Sequence, residues 1–75
     1  MNNAIFIPCN RQVIKNIEKT VKQYGLDECY TDSPNEKIFK NNDLILLKKR
    51  KYIFLKAFCI EDINKIQQVR ASLLN

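Results

Sequence analysis

The chain predicts an α+β fold, a small two-layer sandwich ordered strand, helix, two or three antiparallel strands, helix. Three observations carry that prediction. Apolar residues recur at helical spacing from Val13 to Tyr24, between a capping Asn10 and a stopping Gly25. Two short apolar runs joined by the consecutive cations Lys48, Lys49, Arg50 and Lys51 read as a β-hairpin with a positively charged tip. A second helical pattern fills residues 60–74.

Taken in order, residues 4–7 (AIFI) form an apolar run stopped by Pro8, which has no N–H to donate and therefore suits a sheet edge. Asn10 stands where an N-cap belongs, Val13, Ile14, Ile17, Val21 and Tyr24 form the apolar stripe, and Gly25 ends the first helix. On a wheel of about 100° per residue, Arg11, Lys15, Lys19 and Lys22 gather opposite that stripe, with Glu18 the one anion among them. Residues 28–31 and a start at Ile38-Phe39 then read as strands around the turn cluster Asp32-Ser33-Pro34-Asn35.

The hairpin follows, with arms at residues 44–47 and 52–58. Its second arm alternates Tyr52, Phe54, Lys56 and Phe58 against Ile53, Leu55, Ala57 and Cys59, and both faces are apolar enough to be largely covered. The join lacks the Asn-Gly or Asp-Gly pair of a tight primed turn, so a wider loop through Lys48 to Lys51 is expected. The last helix opens on Glu61 and Asp62, favourable against its dipole, and sets Ile60, Ile63, Ile66, Val69, Leu73 and Leu74 on one broad face. Arg70 falls near the middle of that face. It is expected over the core edge beside a carboxylate, since an unpaired buried guanidinium is costly; snorkelling from the last turn and a partner-facing helix are the alternatives.

Seventy-five residues hold a single domain, residues 1–75, near the lower limit for a core unaided by disulfides or metal. The 45% apolar content and single glycine are those of a folded globule, while the small core favours completion by a homodimer or a tight hetero-complex. No apolar run approaches the ~20 residues of a membrane span, and residues 1–8 lack the pattern of a signal peptide, so a cytoplasmic protein without a membrane partner is expected. The cysteines, Cys9, Cys29 and Cys59, are odd in number and no histidine accompanies them, so they read as packed thiols rather than as a disulfide framework or zinc site. The Asn-, Lys- and Ile-rich composition points to a low-GC source such as a phage or mobile element.

The absence of histidine removes the commonest general base and metal ligand, the single glycine removes Gly-rich phosphate cradles, and the carboxylates lack a cation-binding spacing. No enzyme activity, cofactor or metal is therefore expected. The net charge of +5 is uneven: residues 27–36 carry four anions and no cation, whereas residues 37–56 carry seven cations and one anion. Such asymmetry points to a polyanion or an acidic protein surface.

Asn42-Asp43 followed by LILL, a basic turn, YIFLKAF and Gln67-Gln68 resembles the core of restriction-endonuclease-like PD-(D/E)xK nucleases, nearest the virus-type replication-repair branch. The resemblance spans about fifty residues. It implies that Asp43 takes the place of the metal-binding Asp, but the expected Glu falls on Lys56 and the expected Lys on Phe58. A cation where a metal-binding carboxylate belongs implies a catalytically dead remnant. The helix, three strands, helix order also resembles the double-stranded-RNA-binding domain, whose basic helix start is here Ile60-Glu61-Asp62 and so does not carry over.

Two functions are favoured, with a divergent Mg²⁺-dependent nuclease relying on Asp43 as the third reading. The first is a non-enzymatic regulatory protein binding nucleic acid or a nucleoprotein complex through Lys48, Lys49, Arg50, Lys51 and Lys56, with Lys37 and Lys40 nearby, Arg11, Lys15 and Lys22 on the first helix, and Arg70 as a further contact. Tyr52 or Phe54 stacks on a base only where exposed. The second is an inhibitor docking on a host or viral protein complex, with the cations meeting acidic surface and the sheet edge or last helix supplying the apolar anchor.

Overall fold

A computed structural model describes residues 3–75; Met1 and Asn2, on which the reading of residues 1–8 as lacking a leader begins, lie outside them. The element order is β1 (Ala4–Pro8), α1 (Arg11–Gln23), β2 (Asp27–Cys29), β3 (Lys37–Lys40), β4 (Leu44–Lys48), β5 (Tyr52–Ala57), a 3-10 turn (Ile60–Asp62) and α2 (Ile63–Leu74). The five strands form one antiparallel sheet in the order β1-β5-β4-β3-β2. This is the α+β sandwich the pattern predicts, with four strands between the helices rather than two or three. The strand read at residues 28–31 lies instead at Asp27–Cys29 as β2, three residues of Asp-Glu-Cys with no apolar alternation, held by its pairing with β3.

The boundaries of α1 follow from its caps. Asn10 is extended, and its Oδ1 accepts the Val13 N–H at 2.9 Å. At the other end Gly25 turns into the left-handed region (φ 64°), which lets the Leu26 N–H reach the Val21 carbonyl at 2.9 Å. That bond and the Gly25 N–H to Lys22 carbonyl form a Schellman motif, with Leu26 buried beneath it.

The core lies between the helices and one face of the sheet. Register sets Ile7 beside Ile53, Leu55 beside Leu46, Leu44 beside Ala57 and Phe39 beside Leu46, all buried together with Val13, Ile17, Ile66, Val69 and Leu73. Both helices therefore cover the same face.

The helix faces depart from the expected wheels. Ile14, expected inward, is half exposed, while Asn16 and Thr20 are buried. The reason is the α1–α2 seam, which is polar: Asn16 Nδ2 donates to the Leu73 carbonyl at 2.9 Å, and the Thr20 and Ser72 hydroxyls lie 2.7 Å apart. Satisfying those groups turns α1 toward α2 and leaves Ile14 on its flank. The same rotation corrects α2. Its buried stripe is Ile66, Val69 and Leu73, with Ser72 alongside, so Ile60 and Leu74 are exposed and Arg70 is an exposed side chain forming no ion pair among the described residues.

Glu61 and Asp62 occupy the 3-10 turn rather than the first turn of α2. Asp62 instead reaches Lys65 Nζ at 3.4 Å, and the same ammonium meets Asp43 Oδ2 at 3.0 Å, tying the start of α2 to the start of β4. The hydrogen bond to Asp43 raises the Lys65 pKa. Asn41 braces that corner: its Oδ1 accepts from the Asp43 and Leu44 N–H groups at 2.7 and 3.0 Å, and its Nδ2 donates to the Tyr24 carbonyl at 3.1 Å. Of the thiols, Cys9 packs against the core, Cys29 is half-buried at the end of β2, and Cys59, at the corner between β5 and the 3-10 turn, is exposed.

Candidate functional site

The hairpin connection is narrower than expected, because Lys48 belongs to β4 and only Lys49, Arg50 and Lys51 lie between the strands. The Lys49 N–H donates to the Tyr52 carbonyl at 2.8 Å, and no described non-glycine residue has positive φ, so the turn is tight without being primed. Each tip cation has a different neighbour. Lys49 Nζ meets Glu36 Oε1 at 2.7 Å; this hydrogen bond holds the Glu36 carboxyl below its ordinary range and the Lys49 ammonium above its own. Arg50 Nη2 approaches Asn35 Oδ1 at 3.4 Å, and the Lys51 carbonyl accepts the Cys9 N–H at 3.0 Å while its side chain stays exposed.

Lys48 points to the helix side of the sheet, directly opposite Lys37 on β3. These two ammonium groups border a groove of about 480 Å³ between α1 and the sheet, floored by Ile14, Ile17, Val21 and Phe39. Glu18, Lys22 and Glu28 complete its rim, with Glu18 and Lys22 paired at 3.4 Å. Lys37, Lys48 and Arg50 also share the hollow beside Pro34 and Asn35. The fold thus gathers Lys37, Lys48, Lys49, Arg50 and Lys51 at one end of the sheet, with Glu36 the acid that binds among them. Arg11 and Lys15 are exposed along α1, and neither is ion-paired among the described residues.

The sheet's other face has no helix over it, which corrects the expectation that both hairpin faces are covered. Register places Phe6, Phe54, Leu47, Ile38 and Cys29 in one row across all five strands. The adjacent row is Ala4, Lys56, Ile45, Lys40 and Asp27, and Tyr52 lies on the tip side next to Pro8. Phe6 is 63% exposed and Tyr52 38% exposed, their ring centroids 5.4 Å apart; Phe6 also lies 5.0 Å from Phe54. Lys56 and Lys40 are exposed and form no ion pair among the described residues.

Sequence reasoning assigned Phe6 to an apolar strand and no further role. The signal that reveals it is the period of two: in AIFIP the inward pair is Ile5 and Ile7, so an edge strand covered on one side must turn Phe6 outward.

Of the positions matched to the nuclease pattern, Asp43 precedes β4 and its carbonyl accepts the Phe58 N–H at 3.0 Å, while Lys56 is on the open face and Phe58 is half exposed. Among the described residues no three cysteine or acidic side chains are grouped so as to hold a metal ion, and no helix is long and apolar enough to cross a membrane. Comparison with protein-family models, curated proteins and solved structures finds no match to this chain.

Proposed function

We propose that this chain is a small non-enzymatic regulatory protein that binds nucleic acid, alone or within a nucleoprotein complex, through the cations at the hairpin end of its sheet. The observation that carries this reading is the cross-strand register of Lys37 against Lys48. Like charges directly opposite one another destabilise an antiparallel pair. Here the pair adjoins Arg50 and Lys51, and ten of the thirteen cations enter no ion pair among the described residues. A phosphate backbone relieves that repulsion along a line of sites, whereas a single surface carboxylate relieves it at one.

Fluorescence polarisation of labelled DNA and RNA across a salt series tests this. The affinity is expected to fall with log salt by about 0.7 per phosphate contact on single strands and about 0.9 on duplex. Changing Lys48, Arg50 and Lys51 together to alanine is expected to lower that slope by about two to three and the low-salt affinity by about tenfold or more. Binding to neither polymer, or binding indifferent to salt, would sink the proposal.

The same groups fix a pH expectation. The Glu36 contribution is present above the ordinary carboxylate range and is lost as pH falls through its lowered pKa; that of Lys49 is present below the ordinary ammonium value and is lost as pH rises through its raised one. Both shifts move away from neutrality, and the chain has no histidine. Affinity is therefore expected to be flat from about pH 6 to 8, and a steep change inside that window contradicts a site built on these cations.

A further inference from the structure

We infer that the open face of the sheet is a base-stacking platform, and that the nucleic acid this chain takes is single-stranded. The inference rests on the polyanion reading above and specifies the form of the polymer.

The face has two components that a duplex does not use together. One is an exposed aromatic group, Phe6 with Tyr52 and Phe54 at 5.4 and 5.0 Å between centroids, set on neighbouring strands β1 and β5. Phe6 has polar or apolar cover from no helix and presents well over half of its surface to solvent. The other component is charge on both sides of the rings. Lys56 and Lys40 occupy the next row of the sheet on one side, and Arg50 and Lys51 immediately precede Tyr52 on the other.

A duplex buries the flat faces of its bases in its own stack and offers a protein mainly phosphate and groove edges. The aromatic row would then meet nothing. A single strand exposes base faces and phosphates within one nucleotide of each other, which matches a ring bordered by unpaired ammonium groups. A second copy of this chain fits the face less well. Mating two such faces would press Lys56 and Lys40 against apolar rows and strip water from cations that form no ion pair among the described residues, Asp27 opposite Lys40 being the one anion in their row.

The test uses the full chain and three fluorescent or competing probes: an oligothymidylate of about 12 nucleotides, within the length one small domain occupies, a mixed-sequence duplex of equal length, and inorganic polyphosphate, which has charge but no bases. Wild type is expected to bind the single strand about tenfold or more tighter than the duplex. Phe6→Thr keeps a strand-forming residue at an exposed position, and is expected to weaken single-strand binding by about tenfold while leaving duplex and polyphosphate binding unchanged. Phe6→Tyr keeps the ring and is expected to keep the affinity. Circular dichroism of each variant confirms that the fold persists.

Equal affinity for single strand and duplex, with no effect of Phe6→Thr but loss of both on changing Lys48, Arg50 and Lys51 to alanine, overturns the platform and leaves the charge reading intact. Failure to bind any of the three probes overturns both. Sedimentation showing a dimer that Phe6→Thr dissociates assigns the face to a second copy and likewise overturns the platform.

Discussion

Replacing Leu55 by alanine is expected to destabilise the domain by about 2–5 kcal/mol. Leu55 has no exposed surface and sits on β5 between Ile5 of β1 and Leu46 of β4, facing the helices. Its removal opens a void where two strand pairs and the helix layer meet, and close-packed neighbours relax only partly into it. A chain of this length is expected to be stable by only about 4–11 kcal/mol, at the usual increment per residue. The loss therefore approaches the whole of the lower bound. Urea titration should show a lower midpoint with an unchanged slope, and the melting temperature should fall by about 10 °C or more. Leu47→Ala makes the informative comparison, because Leu47 lies on the adjoining strand but on the open, half-buried face. It is expected to cost under about half as much. Equal costs would mean that something covers the open face in solution, against the two-layer architecture.

The contrast between those two leucines also marks where sequence reasoning ran out. The alternation of residues 52–58 locates two faces of a strand, and nothing in it says that one face has helices over it and the other has none. The element order supplies the rest: it predicts both helices on one sheet face, and the structure has α1, crossing from β1 to β2, and α2, following β5, on the same side. The caps were legible because they are local: Asn10 and Gly25 act on backbone groups within a few residues, and both do what their types predict. The strand β2 is legible only approximately, as residues 28–31 rather than Asp27–Cys29, since Asp27-Glu28-Cys29 holds its conformation through hydrogen bonds to β3 rather than by its own propensity. For the candidate site, the tip cations are evident as a run, but the opposition of Lys37 and Lys48 is a matter of register between two lysines eleven positions apart on neighbouring strands, and the aromatic group joins β1 to β5 across most of the chain. Arg70 failed for a related reason. The wheel was centred on apolar residues alone, whereas the actual seam includes Ser72, Thr20 and Asn16.

That polar seam supplies the second large effect. Asn16 is buried on α1, and its Nδ2 donates to the carbonyl of Leu73, one of the last carbonyls of α2, which have no partner within the helix. The side chain of one helix thus caps the other across their interface. Asn16→Asp keeps the shape and removes the donor. At neutral pH it also sets a negative charge against a carbonyl oxygen at the negative end of a helix dipole, in a buried position. The variant is expected to lose about 3 kcal/mol or more relative to wild type, from the unsatisfied charged group. Its pH dependence distinguishes this mechanism from a general loss of packing. Burial and the facing carbonyl disfavour the anion, so the folded-state pKa of the new carboxyl lies above its unfolded value of about 3.9. Stability relative to wild type is then greatest below that unfolded value, where the protonated acid still donates, and declines as pH rises until the folded pKa is passed. Melting curves of the two proteins should accordingly converge near about pH 4 and separate toward neutrality. Asn16→Ala provides the control, since it cannot titrate: its deficit, about 1–3 kcal/mol for the orphaned carbonyl together with the cavity, should be the same at both pH values. A difference for Asn16→Asp that does not change with pH would mean that the Leu73 carbonyl has found another donor, and that α2 is held to α1 by its apolar stripe alone.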